Sequence, residues 1–175
     1  RSTPLYSSAA SDVYKRQNKY QGRIGRGVDL NTKKSMDLYI SDNEDWEEEE
    51  STFFESLSKN LCSYQEWLPE PYGAFCMNYD REDTGYQIQE TKPGGFYSWH
   101  HDQLESRRLT FIWYLNNIEE DGYTEFNTGL KIQPETGKLM IFPGLWPWVH
   151  RGVAPKSEDK YICTGWIREK SIINN

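Results

Sequence analysis

The sequence predicts a mainly β domain with flanking N-terminal helices, on three observations. Short runs, Thr124-Glu-Phe126, Leu130-Lys-Ile132 and Lys138-Leu-Met-Ile-Phe142, are separated by the turn signals Asp121-Gly122 and Pro134-Glu-Thr-Gly137, the pattern of an antiparallel all-β domain. Two longer runs, residues 107–116 and 160–166, alternate with a period of two, so that Thr110, Ile112 and Tyr114 share a face of one and Lys160, Ile162, Thr164 and Trp166 a face of the other. Ahead of them, Phe53, Leu57, Leu61, Tyr64 and Leu68 recur at helical spacing.

In chain order, residues 1–20 are expected to be a disordered or non-native tail, because Ser7-Ser-Ala-Ala-Ser-Asp-Val-Tyr-Lys-Arg-Gln17 is small, polar and without periodicity. Ordered structure is expected to start between Gly22 and Asp29, and residues 34–40 form a short strand. Ser41 or Asp42 is the expected N-cap of a helix over residues 43–67, with Glu47-Glu-Glu-Glu50 on its opening turns, where carboxylates favour the helix dipole and a solvated face. The apolar stripe should pack on the outer face of a sheet, and Pro69 and Pro71 end the helix. With no internal repeat or linker, residues 21–175 are expected to be a single domain, with helical support over 21–80 and a β core over 81–170.

All three histidines fall in two clusters, Tyr97-Ser-Trp-His-His-Asp102 and Trp148-Val-His-Arg-Gly152. In an extended strand residues i and i+2 point the same way, which pairs His100 with Asp102 and turns His101 aside. With His150 arriving from a distant strand, the set is two histidines and one carboxylate, the donor set of non-haem iron(II) oxygenases. A histidine beside aromatics is more often packed or on the surface than a ligand, and His101 takes that bland reading. Lys160, ten residues beyond His150, strengthens the case for the others. A lysine pointing into a mostly apolar interior needs an anionic partner, which a dicarboxylate would supply. Thr110 and Tyr114 offer a hydroxyl and a phenol to the same carboxylate, although that segment alone reads as an ordinary buried strand.

A family resemblance rests on ordered motifs from about residue 83 to residue 167: Gly94-Gly95 with Tyr97 and His100-x-Asp102, Arg107-x-x-Thr110 with Tyr114-Leu-Asn116, Gly122-x-Thr-x-Phe126, Pro134-x-x-Gly137 with Ile141-Phe142, and His150 with Lys160. In these the chain resembles the 2-oxoglutarate- and iron(II)-dependent dioxygenases, in the branch containing the prolyl 4-hydroxylases. The resemblance implies a double-stranded β-helix, a cupin-like jelly roll of two facing sheets with iron at one open end. It implies His100, Asp102 and His150 as metal ligands and catalytic set. Lys160 becomes the basic anchor for the distal carboxylate of 2-oxoglutarate, with Tyr114 and Thr164 as hydrogen-bonding companions and Ile112 as an apolar wall. Iron(II), 2-oxoglutarate and dioxygen are the implied cofactor and cosubstrates, with ascorbate as an auxiliary reductant. The implied reaction hydroxylates a C–H bond of a peptidyl or free proline-like or other small substrate, releasing succinate and carbon dioxide. Asp102 itself favours hydroxylation, since related halogenases have a small residue there. Two positions depart from the pattern. Thr91 stands where many relatives have a tyrosine nine residues before the first histidine, and Asp121-Gly-Tyr-Thr124 stands where they often read Gly-Gly-Glu-Thr.

A net charge of -7 disfavours attraction to a phosphate backbone, so the expected partner is a small-molecule or peptide substrate and not nucleic acid. Cys62, Cys76 and Cys163 are odd in number and widely spaced, as free thiols in a reducing compartment would be. No run approaches the roughly 18 apolar residues that span a bilayer, and the N-terminal stretch lacks the apolar core of a secretion signal; a soluble cytoplasmic protein is expected, with no membrane. Two other classes share these features. A non-oxygenase cupin-type metal-binding protein would keep the histidines without needing Lys160, Tyr114 and Thr164 to converge. A jelly-roll ligand-binding module would use Trp99, Trp146 and Trp148 as its platform. Specificity is expected in the loops at residues 87–93, 103–106 and 144–147.

Overall fold

The protein, seen in a computed structural model, is described over residues 18–71, 81–104 and 106–170. Its centre is a pair of long strands, β6 (Arg107–Tyr114) and β11 (Lys160–Glu169), hydrogen-bonded antiparallel from Ile162↔Tyr114 to Arg168↔Arg107. From Leu109 to Tyr114 every residue of β6 is buried. A strand apolar on both faces has to be covered on both, and here Leu109, Phe111 and Trp113 face a helix while Ile112 and Tyr114 face a second sheet. The large sheet runs β1 (Tyr20–Gln21), β2 (Met36–Tyr39), β4 (Gln87–Thr91), β11, β6, β9 (Leu139–Pro143), with β3 (Arg81–Asp83) pairing with the far end of β11. The small sheet runs β5 (Tyr97–His100), β10 (His150–Gly152), β7 (Thr124–Phe126), β8 (Lys131–Ile132). All of these pairings are antiparallel, as the turn spacing predicts.

The helix, α1 (Glu47–Trp67), follows a 3-10 turn over Glu44–Trp46. Its stripe is the predicted one. Phe53, Leu57 and Leu61 are buried, Tyr64 and Leu68 pack beside them, and the stripe meets Tyr86, Phe111, Trp113 and Cys163. Phe53 lies 5.7 Å from Tyr86 and 5.1 Å from Trp113, centroid to centroid, so large aromatic surfaces join helix to sheet. The expected cap of α1 does not form: Trp46 precedes the helix without a side-chain cap, and the capped element is the 3-10 turn ahead of it. Asn43, not Ser41 or Asp42, accepts from the Asp45 N–H at 3.1 Å, because the Ser41 hydroxyl is already accepting from the Tyr86 N–H at 2.9 Å, and Asp42 sits in the left-handed region at φ 62°. Of the acidic run, Glu47 and Glu48 are exposed and Glu49 and Glu50 half-buried.

Between the sheets lies a second, smaller core of Ile112, Tyr114, Phe126 and Phe142, with Phe126 and Phe142 edge to face at 5.1 Å. This closes one side of the sandwich and leaves the β4–β5 side to enclose a cavity. The outer edge of β5 is covered by the chain at Thr32–Lys34: the Ser98 N–H donates to the Thr32 carbonyl and the Lys34 N–H to the Phe96 carbonyl, each at 2.8 Å.

Paired structure is already present ahead of the expected start between Gly22 and Asp29. Tyr20 and Gln21 pair with Asp37 and Met36, Lys19 forms an ion pair with Glu90 at 2.9 Å, and the Gln87 amide donates to the Tyr20 hydroxyl at 3.0 Å. A two-residue strand carries no detectable period, so its only signal is lateral pairing. The stretch Ser7–Gln17 lies outside the described residues. Deleting residues 1–21 should lower unfolding stability by roughly 1–3 kcal/mol, since Glu90 loses a charged partner in a part-buried site. A urea-unfolding midpoint equal to that of the full chain would show that these contacts count for nothing.

Among the described residues Cys62 is exposed and Cys163 buried, both free, and burial pushes the Cys163 thiol well up; Cys76 lies outside them. No helix among the described residues is long and apolar enough to cross a membrane.

Candidate metal centre

His100 ends β5 and His150 begins β10, and the two are register partners across the antiparallel pair, which points both side chains to the same face. Asp102 joins them differently from the strand alternation expected: β5 stops at His100, and Asp102 follows in irregular chain. What aims its carboxylate is β6, where the Thr110 hydroxyl donates to Asp102 Oδ2 at 2.7 Å. His101 is exposed, as expected.

The three side chains converge. His100 Nε2 is 3.8 Å from Asp102 Oδ1, His150 Nε2 is 3.6 Å from Asp102 Oδ2, and one ligand atom from each residue falls within 4.8 Å of the others. Each imidazole is held the same way, with Nδ1 at a carbonyl two residues back, 2.8 Å to Ser98 O for His100 and 3.1 Å to Trp148 O for His150. A carbonyl only accepts, so Nδ1 carries the proton and the Nε2 lone pair faces inward. Burial, and then the neighbouring His150, depress His100 to about 4, which keeps it neutral near pH 7 and fit to ligate. Two imidazole nitrogens and a carboxylate oxygen on one side of a site suit a divalent transition metal such as iron(II). The ring of Tyr97 lies flat on His100, centroids 3.6 Å apart and planes 14° from parallel.

The same cavity extends from these ligands to Lys160, along walls that include Thr91, Ile112, Thr124, Ile162 and Thr164. Lys160 is fully buried, and its ammonium donates to the Gly122 carbonyl at 2.9 Å with no carboxylate among the described residues to neutralise it. Burial alone brings it down to about 8. A buried cation facing a cavity is a site prepared for an anion.

The hydroxyls expected around that anion are otherwise engaged. Ile112 and Thr164 do line the cavity, but the Thr164 hydroxyl donates to the Phe111 carbonyl at 2.9 Å, and Thr110 serves Asp102. Tyr114 is completely buried and donates to Thr124 Oγ1 at 2.7 Å, and it is Thr124 that lines the cavity. Sequence reasoning missed Thr124 and the Gly122 carbonyl; the motif Gly122-x-Thr-x-Phe126 contained both, without saying which atoms face Lys160. The Trp166 side chain, placed on the inner face by alternation, lines the cavity under the Arg107 guanidinium at 3.6 Å, and its indole N–H is buried without a hydrogen-bond partner among the described residues. Trp99, Trp146 and Trp148 are exposed and none lines the cavity; Trp99 stacks under Arg151 at 4.7 Å instead.

Residues 86–168 match the family described as the 2OG-Fe(II) oxygenase superfamily. Over that stretch the chain resembles the superfamily, whose members use iron(II), 2-oxoglutarate and dioxygen, and within it the prolyl 4-hydroxylases. It is 25% identical over 174 residues to a putative prolyl 4-hydroxylase of Acanthamoeba polyphaga mimivirus, covering 86% of this chain and 64% of that one. It is 24% identical over 164 residues to prolyl 4-hydroxylase 13 of Arabidopsis thaliana, covering 80% and 59%. The chain thus spans less than two thirds of the length of either relative. In fold it is similar to the viral collagen prolyl hydroxylase of Paramecium Bursaria Chlorella virus-1 in its 2OG complex (TM-score 0.70, 23% identity, 95% of this chain and 93% of that one). It is also similar to a Pseudomonas putida prolyl-4-hydroxylase (0.72, 19%, 94% and 87%). A third similar fold is a Trichoplax adhaerens prolyl hydroxylase solved with a hypoxia inducible factor peptide fragment (0.73, 20%, 93% and 76%).

Proposed function

We propose that this chain is an iron(II)- and 2-oxoglutarate-dependent dioxygenase that hydroxylates a C–H bond of a peptidyl or free proline-like substrate, releasing succinate and carbon dioxide. The observation that carries this reading is Lys160, a buried cation without a counter-charge among the described residues, in the same cavity as three convergent metal donors. A protein that only binds metal has no use for it. The two facing antiparallel sheets support a double-stranded β-helix within a single domain, and the free thiols support a cytoplasmic setting.

His100, Asp102 and His150 hold the iron, and the bound iron supplies the dioxygen chemistry that no side chain can. Lys160 takes the distal carboxylate of 2-oxoglutarate. The Tyr114-to-Thr124 hydrogen bond leaves the Thr124 hydroxyl proton free to donate to the same carboxylate. Ile112 and Ile162 keep water from the chain between the two ends. The Trichoplax prolyl hydroxylase solved with a peptide fragment and the chlorella virus collagen prolyl hydroxylase favour a peptide over a free amino acid.

Adding iron(II) and 2-oxoglutarate together under nitrogen should produce the visible charge-transfer band of a chelated keto acid, which either one alone does not give. Succinate release with ascorbate present, screened over proline-containing peptides, free amino acids and small metabolites, then identifies the substrate. No band at saturating concentrations would return the chain to the non-oxygenase metal-binding proteins.

A further inference from the structure

Lys33 and Asp37 form an ion pair in the interior, Nζ to Oδ2 at 2.6 Å, with side chains only 3% and 1% exposed. The other Asp37 oxygen accepts from the Ser35 hydroxyl at 2.7 Å, so the carboxylate is fully engaged. All three residues precede the stretch that matches the family, and none lines the cavity. As a stabiliser such a pair is a poor investment, because desolvation offsets most of the attraction and apolar replacements of similar volume are often neutral or better.

Its location suggests another role. The chain at Lys33 bridges to Tyr97, and the Lys33 ammonium lies 5.3 Å from the centre of the Tyr97 ring. That ring is the one stacked on His100 at 3.6 Å. Backbone pairing fixes the main chain of Tyr97 and leaves its ring free to turn. The hydrogen bond from His100 Nδ1 to the Ser98 carbonyl likewise acts as a pivot, which leaves the imidazole free to tilt. A cation held over the tyrosine and an imidazole held flat on it remove both freedoms. The N-terminal segment then seals the pair from water: the Gly22 N–H donates to the Ser35 carbonyl at 2.9 Å, and a Cβ on Gly22 would stand 2.3 Å from the Ser35 hydroxyl and 3.0 Å from Lys33 Cε.

We infer that the buried Lys33–Asp37 pair is a positioning device for the metal centre, holding the Tyr97 ring against His100 so that its Nε2 stays converged with Asp102 and His150. This rests on the reading of those three residues as ligands. Outer partners that orient ligands typically account for roughly 10- to 100-fold in metal affinity.

The test replaces the pair by apolar side chains, Lys33→Met with Asp37→Leu, and measures three quantities against wild type: thermal melting of the metal-free protein, cobalt(II) affinity by calorimetry, and the visible ligand-field spectrum of the cobalt(II) form. The expected result is melting at or above the wild-type temperature, cobalt(II) bound roughly 10- to 100-fold more weakly, and an altered spectrum. A purely structural pair would move the melting temperature and leave the spectrum alone. A folded double variant with wild-type cobalt(II) affinity and spectrum overturns the inference. If the double variant does not fold, Tyr97→Leu, which removes the ring and leaves the pair, carries the test, and unchanged cobalt(II) affinity there overturns it equally. Wild-type protein that binds no cobalt(II) refutes the ligand assignment itself, a different failure from loss of positioning.

Discussion

His100→Ala, Asp102→Ala and His150→Ala should each abolish measurable iron(II) binding, while His101→Ala keeps it. With three protein ligands on one side of the metal, losing any one leaves two, and the remaining donors cannot enclose that side. The loss should exceed the roughly 10- to 100-fold caused by removing an outer partner, which sets a scale within the same experiment: Thr110→Val deletes the hydroxyl that aims Asp102 and should fall in that intermediate range. Anaerobic iron(II) titration of the five variants orders them. Were His101→Ala to lose iron with the other three, the ligand set would be wrong, since His101 is exposed and belongs to no convergent group among the described residues.

The parts of this site that were legible in the sequence are those governed by which way a side chain points. Alternation along β11 put Lys160, Ile162, Thr164 and Trp166 on one face, and all four line the cavity, because a strand with two different environments has to keep its period. The helix stripe was readable for the same reason. What alternation does not encode is the partner each polar group finds. Thr110, Tyr114 and Thr164 point inward as expected, yet their hydroxyls go to Asp102, Thr124 and the Phe111 carbonyl, acceptors brought near by three different strands and loops. Asp102 illustrates the same limit from the other side: H-x-D spacing picked out a carboxylate that does converge with the two histidines, but its aim comes from Thr110 and not from a continuing strand. The cap at Asn43 and the strand at Tyr20 were missed because each depends on a residue far along the chain, Tyr86 in one case and the β2 edge in the other. The Lys33–Asp37 pair was missed for a related reason. Charged residues four apart look like surface, and only the closure of Gly22 over them makes them interior.

Lys160→Ala should raise the concentration of 2-oxoglutarate needed for half-saturation by about two orders of magnitude, roughly 2–4 kcal/mol, while iron(II) affinity stays near wild type. Lys160 touches none of the three ligands, so metal binding and cosubstrate binding separate at this residue. The size follows from burial: a carboxylate left in a desolvated pocket without its cation loses a charge-assisted bond that water cannot replace there. Lys160→Arg should recover only part of the loss, because the wider fork has to fit where the ammonium now meets the Gly122 carbonyl. Burial also gives the wild-type protein a pH signature. With Lys160 at about 8 before the anion binds, the site is cationic below that pH and neutral above it, so 2-oxoglutarate affinity should be flat on the acid side and fall as pH rises through 8. Arginine keeps its charge, and Lys160→Arg should show no such fall. The sign for stability runs the other way. The folded value lies below the 10.5 of an unperturbed lysine, the unfolded chain binds the proton more readily, and the anion-free domain gains stability as pH climbs from about 8 towards 10.5. Titrating 2-oxoglutarate into the anaerobic cobalt(II) form of wild type, Lys160→Ala and Lys160→Arg across this range reads the affinities and their pH dependence, and urea unfolding of the anion-free protein over the same range reads the stability. Equal affinity in wild type and Lys160→Ala would sink the cosubstrate assignment and leave the convergent histidines and carboxylate as a metal site without an oxygenase around it.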